Sequence, residues 1–298
     1  MKVLITGTNG LVGQQLLKRL LVAGIYELIA VSRGPNRTIV QQGYVYEEAD
    51  LLDAVRVHDI IRLHRPDIIV HSAAMTQADL CETNPVLCWN TNVTATRFLL
   101  HAALQCGAHF IFLSTDFVFS GEDGPYKEDD LFEPVNYYGS SKLAAERSVM
   151  HYEGAWSIIR TVLVYGHSDD PGRSNILTWA YYSLKQGKPI KVVNDQLRTP
   201  TYVDDLTKGI ELLIAKKAMG VFHISGKEQF TPYEIARAVA DKSGFDKALI
   251  TSVTADTFTQ PAKRPPKTGF IIEKVRRELG YEPRSFQETL DLLFPLQS

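Results

Sequence analysis

Cysteine is scarce in this chain, and its three copies, Cys81, Cys88 and Cys106, are odd in number and lack the paired short spacings of a zinc or dithiol site. They are expected to be reduced and mostly buried. Long hydrophobic runs are missing as well. Every apolar stretch is broken by charged or polar residues well before the roughly 20 needed to cross a bilayer, so no membrane partner is expected. An excess of one charge is also absent: 32 Lys+Arg face 34 Asp+Glu, a net charge of -2. That balance offers no electrostatic footprint for a nucleic-acid backbone or an anionic membrane. The 8 histidines form no cluster at metal-ligand spacing, so no metal site is assigned. Single ones such as His71 and His223 read as satisfied buried polar groups. The chain opens on Lys2-Val3-Leu4-Ile5, a strand pattern without a basic segment, apolar run and cleavage site, which gives a cytoplasmic expectation.

What is present is an ordinary globular composition, 45% hydrophobic and 22% charged over 298 residues, with enough material for one large domain or one and a half. Short apolar runs at 3–6, 28–32, 45–48, 68–72, 110–114 and 157–161 alternate with helical patterns at 11–23, 54–64, 85–105 and 138–151. Such alternation marks successive β-α-β units. Beyond Tyr165 the pattern changes: residues 166–172 are rich in turn formers, and prolines punctuate shorter elements. Helical patterns recur at 176–186, 203–216, 232–243 and 286–293. The expected fold is α/β, a doubly wound parallel sheet of Rossmann type with a smaller mixed α/β C-terminal lobe. Residues 1–165 would form the dinucleotide-binding domain and 166–298 the substrate-binding lobe, across a soft boundary with the chain returning to the sheet.

Gly7-Thr8-Asn9-Gly10-Leu11-Val12-Gly13 follows the first strand and opens the first helix, the context of a dinucleotide turn. Gly7 permits the sharp turn, Gly10 the approach of backbone amides to a pyrophosphate, and Gly13 close helix-to-strand packing. The helix N-terminus adds unpaired N–H groups and a positive dipole. Asn9, Leu11 and Val12 complete this cofactor turn. At the end of the second strand, where an acidic residue would favour NAD, stands Ser32-Arg33-Gly34. A guanidinium suits a 2′-phosphate, so NADP is favoured over NAD, with stacking on adenine or exposure to solvent as the alternative for Arg33. Asp50 and Leu51, after the third strand, are placed near the adenine.

Tyr138-Gly139-Ser140-Ser141-Lys142 opens an amphipathic helix, and the i, i+4 spacing puts Tyr138 and Lys142 on one face. An ammonium beside a phenol should lower its pKa from near 10, readying Tyr138 to give or take the proton of a carbonyl/alcohol pair. Lys142 can also hydrogen-bond the cofactor ribose. Thr115, at the C-terminal end of a predicted strand, is the third catalytic candidate, fixing the substrate oxygen against the phenol.

Together these residues resemble the extended short-chain dehydrogenase/reductase superfamily, and within it the dTDP-4-dehydrorhamnose reductases. The matching stretches are His71-Ser72-Ala73-Ala74-Met75-Thr76 with Asp79 and Glu82, residues 113–119, and residues 136–146. Further matches are 159–166, 193–201 and Arg264-Pro265-Pro266. The resemblance implies hydride transfer from NADPH or NADH to the C4 keto group of a dTDP-hexulose, giving dTDP-rhamnose. It gives Thr115, Tyr138 and Lys142 the catalytic roles, sets Ser72, Ala73 and Ala74 against the cofactor, and sets Thr76 and Asp116 against the sugar. Arg198 lies in a segment that in these enzymes approaches the nucleotide, which makes it a candidate diphosphate clamp; a surface pairing with Asp204 or Asp205 is the alternative. Asn175 is a candidate hydrogen-bonder to sugar or phosphate. The implied partner is a nucleotide-sugar substrate, and a homodimer stays open.

Leu11 replaces a usual glutamine of the reductases, Leu163 an aromatic and Leu80 a basic residue, and the last two border the substrate. Phe117 stands where dehydratases carry an acid, which argues against elimination. Two other readings share these residues: a nucleotide-sugar 4-epimerase with retained NAD, and an NADP-binding regulatory subunit resembling that of methionine adenosyltransferase.

Overall fold

The computed structural model describes residues 1–169 and 174–295. Its elements are, in order, β1 (Lys2–Thr6), α1 (Leu11–Ala23), β2 (Glu27–Ser32), β3 (Val45–Glu48), α2 (Ala54–His64), β4 (Ile68–His71), α3 (Ala78–Thr83), α4 (Pro85–Trp89), α5 (Ala95–Leu104), β5 (His109–Thr115), α6 (Tyr137–Met150) and β6 (Trp156–Thr161). There follow β7 (Val164–Tyr165), α7 (Ile176–Lys185), β8 (Ile190–Val193), β9 (Thr201–Tyr202), α8 (Val203–Lys216), β10 (Gly220–His223), α9 (Pro232–Ser243), β11 (Ile250–Val253), α10 (Glu273–Leu279) and α11 (Phe286–Leu293).

Seven strands form one sheet in the order β10-β6-β5-β4-β1-β2-β3, every pair parallel. This is the doubly wound α/β architecture expected from the alternating pattern. A parallel sheet is covered on both faces, so its strands carry continuous apolar runs. Ile68–His71 is buried at every position. Leu16, Leu17 and Leu20 of α1 pack with Leu206, Ile210 and Leu213 of α8 on one face. On the other, Val57, Ile60 and Ile61 of α2 meet Leu99 and Ala103 of α5 and Ala145 and Val149 of α6. The winding direction reverses between β1 and β4, and at such a switch point a crevice opens beyond the strands' C-terminal ends.

Beyond Tyr165, α7, α9 and α11 pack around the parallel pair β8/β11 with a core of Leu177, Ile235, Val239 and Leu290. Strand β10, also beyond Tyr165, forms the sheet edge beside β6. The turn-rich stretch 166–172 runs past 169, so its last residues lie outside the described ones. No helix among the described residues is long and apolar enough to cross a membrane.

One expected helix differs. Residues 85–105 form α4, a π-helical turn over Asn90–Thr94, and α5. The wide turn sets Asn92 inward, where its amide accepts from the Met75 N–H at 2.8 Å and donates to the Met75 carbonyl at 3.0 Å and to Ser141 Oγ at 2.9 Å. Periodicity cannot register one inserted residue that a single polar side chain stabilises.

Candidate active site

The glycine turn between β1 and α1 is shaped by lack of space. Gly7 has φ 77°, and a Cβ there would lie 2.8 Å from the Ala73 nitrogen at the end of β4. A Cβ on Gly13 would run into the Gly7 carbonyl oxygen. Gly10 caps α1 without any side-chain hydrogen bond, which leaves the first-turn amides from Leu11 and Val12 onward open to a ligand's anionic oxygens. This cradle of backbone amides, which side chains would fill, fits a dinucleotide pyrophosphate. Asn9 has a different task. Its amide nitrogen donates to the carbonyls of Arg33 (3.2 Å) and Pro35 (3.0 Å), and its oxygen accepts from the Arg37 N–H at 2.9 Å. It braces the loop after β2.

Arg33 and Asp50 come together at the ends of β2 and β3, 3.9 Å apart, with 80% of the Arg33 side chain exposed. Leu51 packs on the core beneath them. Across the switch point, Ser72 donates to the Thr6 carbonyl at 2.6 Å and the Ala73 N–H to the Thr6 hydroxyl at 3.3 Å. These bonds fix the Ser72-Ala73-Ala74 backbone against the turn, while Thr76 beyond it is exposed. Behind them His71 bridges the hydroxyls of Thr6 (2.8 Å) and Thr96 (3.0 Å). Burial first, and the Lys142 charge second, bring its pKa down to about 3, so it is the neutral, satisfied histidine expected.

Helix α6 carries Tyr138 and Lys142. Its start is set by Asn136, which accepts from the Gly139 N–H at 2.8 Å and donates to the Lys263 carbonyl at 2.7 Å. Gly139 is needed because any side chain would collide with the Phe117 carbonyl. The helix thus abuts the end of β5, where the Tyr138 phenol lies close enough to the Thr115 hydroxyl to feel it, while that hydroxyl donates to Asp116 at 3.1 Å. Lys142 Nζ donates to the Leu113 carbonyl at 2.7 Å and lies 4.0 Å over the Phe112 ring. The three expected catalytic groups therefore converge on one strand end.

The electrostatics differ from the expectation for the phenol. Burial, foremost, pushes the Tyr138 pKa well above its ordinary value, and the nearby Asp116 adds to the rise against the pull of Thr115. The ammonium is turned toward the Leu113 carbonyl. Tyr138 is thus protonated across the neutral range, the form that donates a proton. Burial also lowers Lys142, to about 7, with the charges of Glu146 and Cys88 opposing.

Asp116, Arg198 and Asn175 are engaged with protein groups. Asp116 is buried, accepts from the Thr115 hydroxyl at 3.1 Å and from the Thr268 hydroxyl, and lies 3.8 Å from Arg198 Nε. Arg198 is only 4% exposed, and it donates to the carbonyls of Leu197 (2.9 Å), Pro266 (3.0 Å) and Pro265 (2.6 Å). That differs from both the expected clamp and the surface pairing; Asp205 is paired with Arg284 instead. Arg198 clamps the 265–266 backbone. Asn175 caps α7, accepting from the Leu177 and Thr178 N–H groups and donating to the Gly166 carbonyl at 2.7 Å. Sequence reading gave no site role to Asn92 or to Ser114, whose buried hydroxyl has no partner, and of the 262–268 segment, which packs Ala262 against Tyr138, it noted only Arg264-Pro265-Pro266 as a family match. An asparagine within an apolar helical pattern was the one available signal.

The parallel sheet, the glycine turn at its switch point and the hydroxyl, phenol and ammonium gathered at the end of β5 define a protein of the extended short-chain dehydrogenase/reductase class. Residues 1–295 match the family model described as RmlD substrate binding domain, and the chain belongs to that family. It is 31% identical to the spore coat polysaccharide biosynthesis protein SpsK of Bacillus subtilis (strain 168), over 97% of this chain and 95% of the relative. It is 32% identical to methionine adenosyltransferase 2 subunit beta of Rattus norvegicus, over 92% of this chain and 81% of the relative. Among solved structures, dTDP-4-dehydrorhamnose reductase of Bacillus anthracis in complex with NADP superposes with a TM-score of 0.86 at 28% identity, covering 98% of each chain.

Proposed function

We propose that this protein is an NAD(P)H-dependent reductase of a nucleotide-linked 4-keto sugar, similar to dTDP-4-dehydrorhamnose reductase. The observation that carries the reading is the meeting of Tyr138 with Thr115 at the end of β5, with Lys142 one turn behind the phenol. The family relation and the NADP complex of the Bacillus anthracis reductase support it. Gly7, Gly10, Leu11, Val12 and Gly13 would hold the pyrophosphate, Arg33 and Asp50 the adenosine end, and Ser72, Ala73 and Ala74 the dinucleotide across the switch point. The bound cofactor supplies hydride to the carbonyl carbon. Thr115 orients the carbonyl oxygen, the neutral Tyr138 phenol gives it a proton, and Lys142 stabilises the phenolate that remains. Asp116, buried 3.8 Å from Arg198 and accepting from the Thr115 hydroxyl at 3.1 Å, would support Thr115 from behind.

The experiment is to follow nicotinamide absorbance with dTDP-, UDP- and GDP-linked keto sugars and each cofactor, for wild type and Tyr138→Phe. Turnover should fall by about 10²–10⁴-fold in the variant with cofactor affinity nearly unchanged. Equal turnover in the two proteins would remove Tyr138 from the mechanism.

The relative that is a methionine adenosyltransferase subunit favours a second reading, a dinucleotide-binding partner subunit. Cofactor binding without turnover of any keto sugar, together with a stable complex with a synthetase, would select it.

A further inference from the structure

Helix α6 carries a third buried ionisable group. Glu146 stands one turn past Lys142, as Lys142 stands one turn past Tyr138, so the three share a face. Its carboxylate has no exposed surface and is gripped by Arg160, whose Nε lies 3.0 and 3.3 Å from the two oxygens and whose second terminal nitrogen donates at 2.8 Å. Arg160 comes from β6 and is itself wholly buried. Its other terminal nitrogen donates to the Glu128 carbonyl at 3.0 Å and meets His223 Nε2 at 3.3 Å. The guanidinium also lies over the rings of Phe132 (4.6 Å) and Phe119 (5.4 Å). Such a two-sided grip supplies the counter-charge that a buried carboxylate requires, and it fixes where that charge sits.

Lys142 lacks such a grip. Its ammonium has the Leu113 carbonyl and the face of Phe112, and it forms no direct ion pair among the described residues. An ammonium taken out of water with one neutral acceptor loses its proton easily unless a negative charge stands near. We propose that Glu146, anchored by Arg160, is a positioning residue for Lys142: its fixed buried charge keeps the ammonium protonated one turn behind the phenol. This rests on the acid/base reading of Tyr138 and Lys142 for its meaning in catalysis. The direction of the electrostatics agrees, since the Glu146 charge is the largest influence opposing the desolvation of Lys142.

Other groups face the same ammonium. Tyr138 lies on its own helix, neutral as described. Cys88 approaches from α4, its thiol lowered chiefly by the Cys81 thiol beside it and further by its contacts with Ser141 and Asn92. His71 on β4 is neutral at these pH values. Behind Glu146 lies Arg160, and His223 from β10 is held neutral by burial.

The test reads Lys142 directly in the cofactor-free protein, by the 13Cε shift of 13C-lysine-labelled chain against pH, with the resonance assigned through Lys142→Arg. In Glu146→Gln the midpoint should fall by about 1 pH unit or more, the scale of one opposite charge at close range. Glu146→Asp should restore most of it. Glu146→Gln leaves Arg160 buried without its partner, so the double variant Glu146→Gln, Arg160→Gln, free of unpaired buried charge, is measured beside it. Its midpoint should also fall, because the Glu146 charge is the largest influence holding Lys142 up against burial. The same comparison with Cys88→Ala should give the same difference.

With a turning-over substrate, the alkaline limb of kcat should move to lower pH in the Gln variants while KM stays put. A midpoint that does not move in whichever Gln variant folds overturns the proposal. Absence of turnover in wild type would overturn the reductase reading alone and leave the lysine titration standing as its own test.

Discussion

Arg33 stands in water at the end of β2, loosely paired with Asp50 at 3.9 Å, and so is free to exchange that carboxylate for a phosphate. An exposed ion pair contributes little, so its loss should not disturb folding. Arg33→Ala is therefore expected to weaken NADPH by roughly ten- to a hundred-fold, the scale of a charge-assisted contact, while NADH affinity barely changes. Fluorescence titration of the two cofactors checks this, and equal losses for both would refute a phosphate contact. At this scale, reading the sequence succeeded for groups whose spacing alone brings them together: Tyr138 and Lys142 are neighbours because a helix makes them so. It did less well for Asn9, Asn175 and Arg198. A polar side chain spent on backbone carbonyls has the same letter as one turned to a ligand, and only the surrounding backbone distinguishes them.

The elements were legible where their periodicity was strong. Helix α1 runs from the residue after Gly10 to a left-handed Gly24, and α2 from its Asp53 cap to His64, both as the pattern of apolar residues predicted. Short or interrupted elements were not. Strand β10 has four residues, and its place beside β6 follows from the sheet rather than from its own composition. Helix α6 is held at the end of β5 by a glycine contact, which yields a prediction at this scale. Gly139→Ala would force its methyl group into the Phe117 carbonyl and push the helix start outward. We expect a loss of about 1–3 kcal/mol in stability. Turnover should drop out of proportion to it, because Tyr138 moves with the helix. Urea unfolding beside steady-state kinetics checks the pair, and a variant with normal kcat would show that the contact relaxes harmlessly.

For the whole molecule, a distant part of the chain closes the site. Arg264 grips Asp79 of α3 with both terminal nitrogens at 2.6 Å, while Arg198 holds the carbonyls of Pro265 and Pro266 and Asn136 holds that of Lys263. The segment is bolted over Tyr138 from three directions. The Arg264 hydrogen bond, chiefly, holds the Asp79 carboxyl below its ordinary value. A depressed folded-state pKa gives stability that is complete above the unfolded value and is lost as pH falls through the folded one. Asp79 is partly exposed, so the contribution is modest and screened by salt. The stability difference between wild type and Arg264→Ala should therefore be largest near neutrality and shrink in acid below the usual carboxylate range. Urea midpoints at both pH values measure it, and a difference independent of pH would mean that the arginine acts through packing alone.

The sequence by itself determined the doubly wound architecture, the glycine turn and the Tyr138/Lys142 helix face, because periodicity, steric need for glycine and helical spacing are local properties that neighbours in the chain express directly. Tertiary structure alone decided that desolvation raises the Tyr138 phenol, that Arg198 and Asn175 turn inward, that Asn92 sits in a widened helical turn, and that Glu146 meets Arg160. Each of those depends on burial and on partners far along the chain, and neither is set until the sheet has brought its strand ends together.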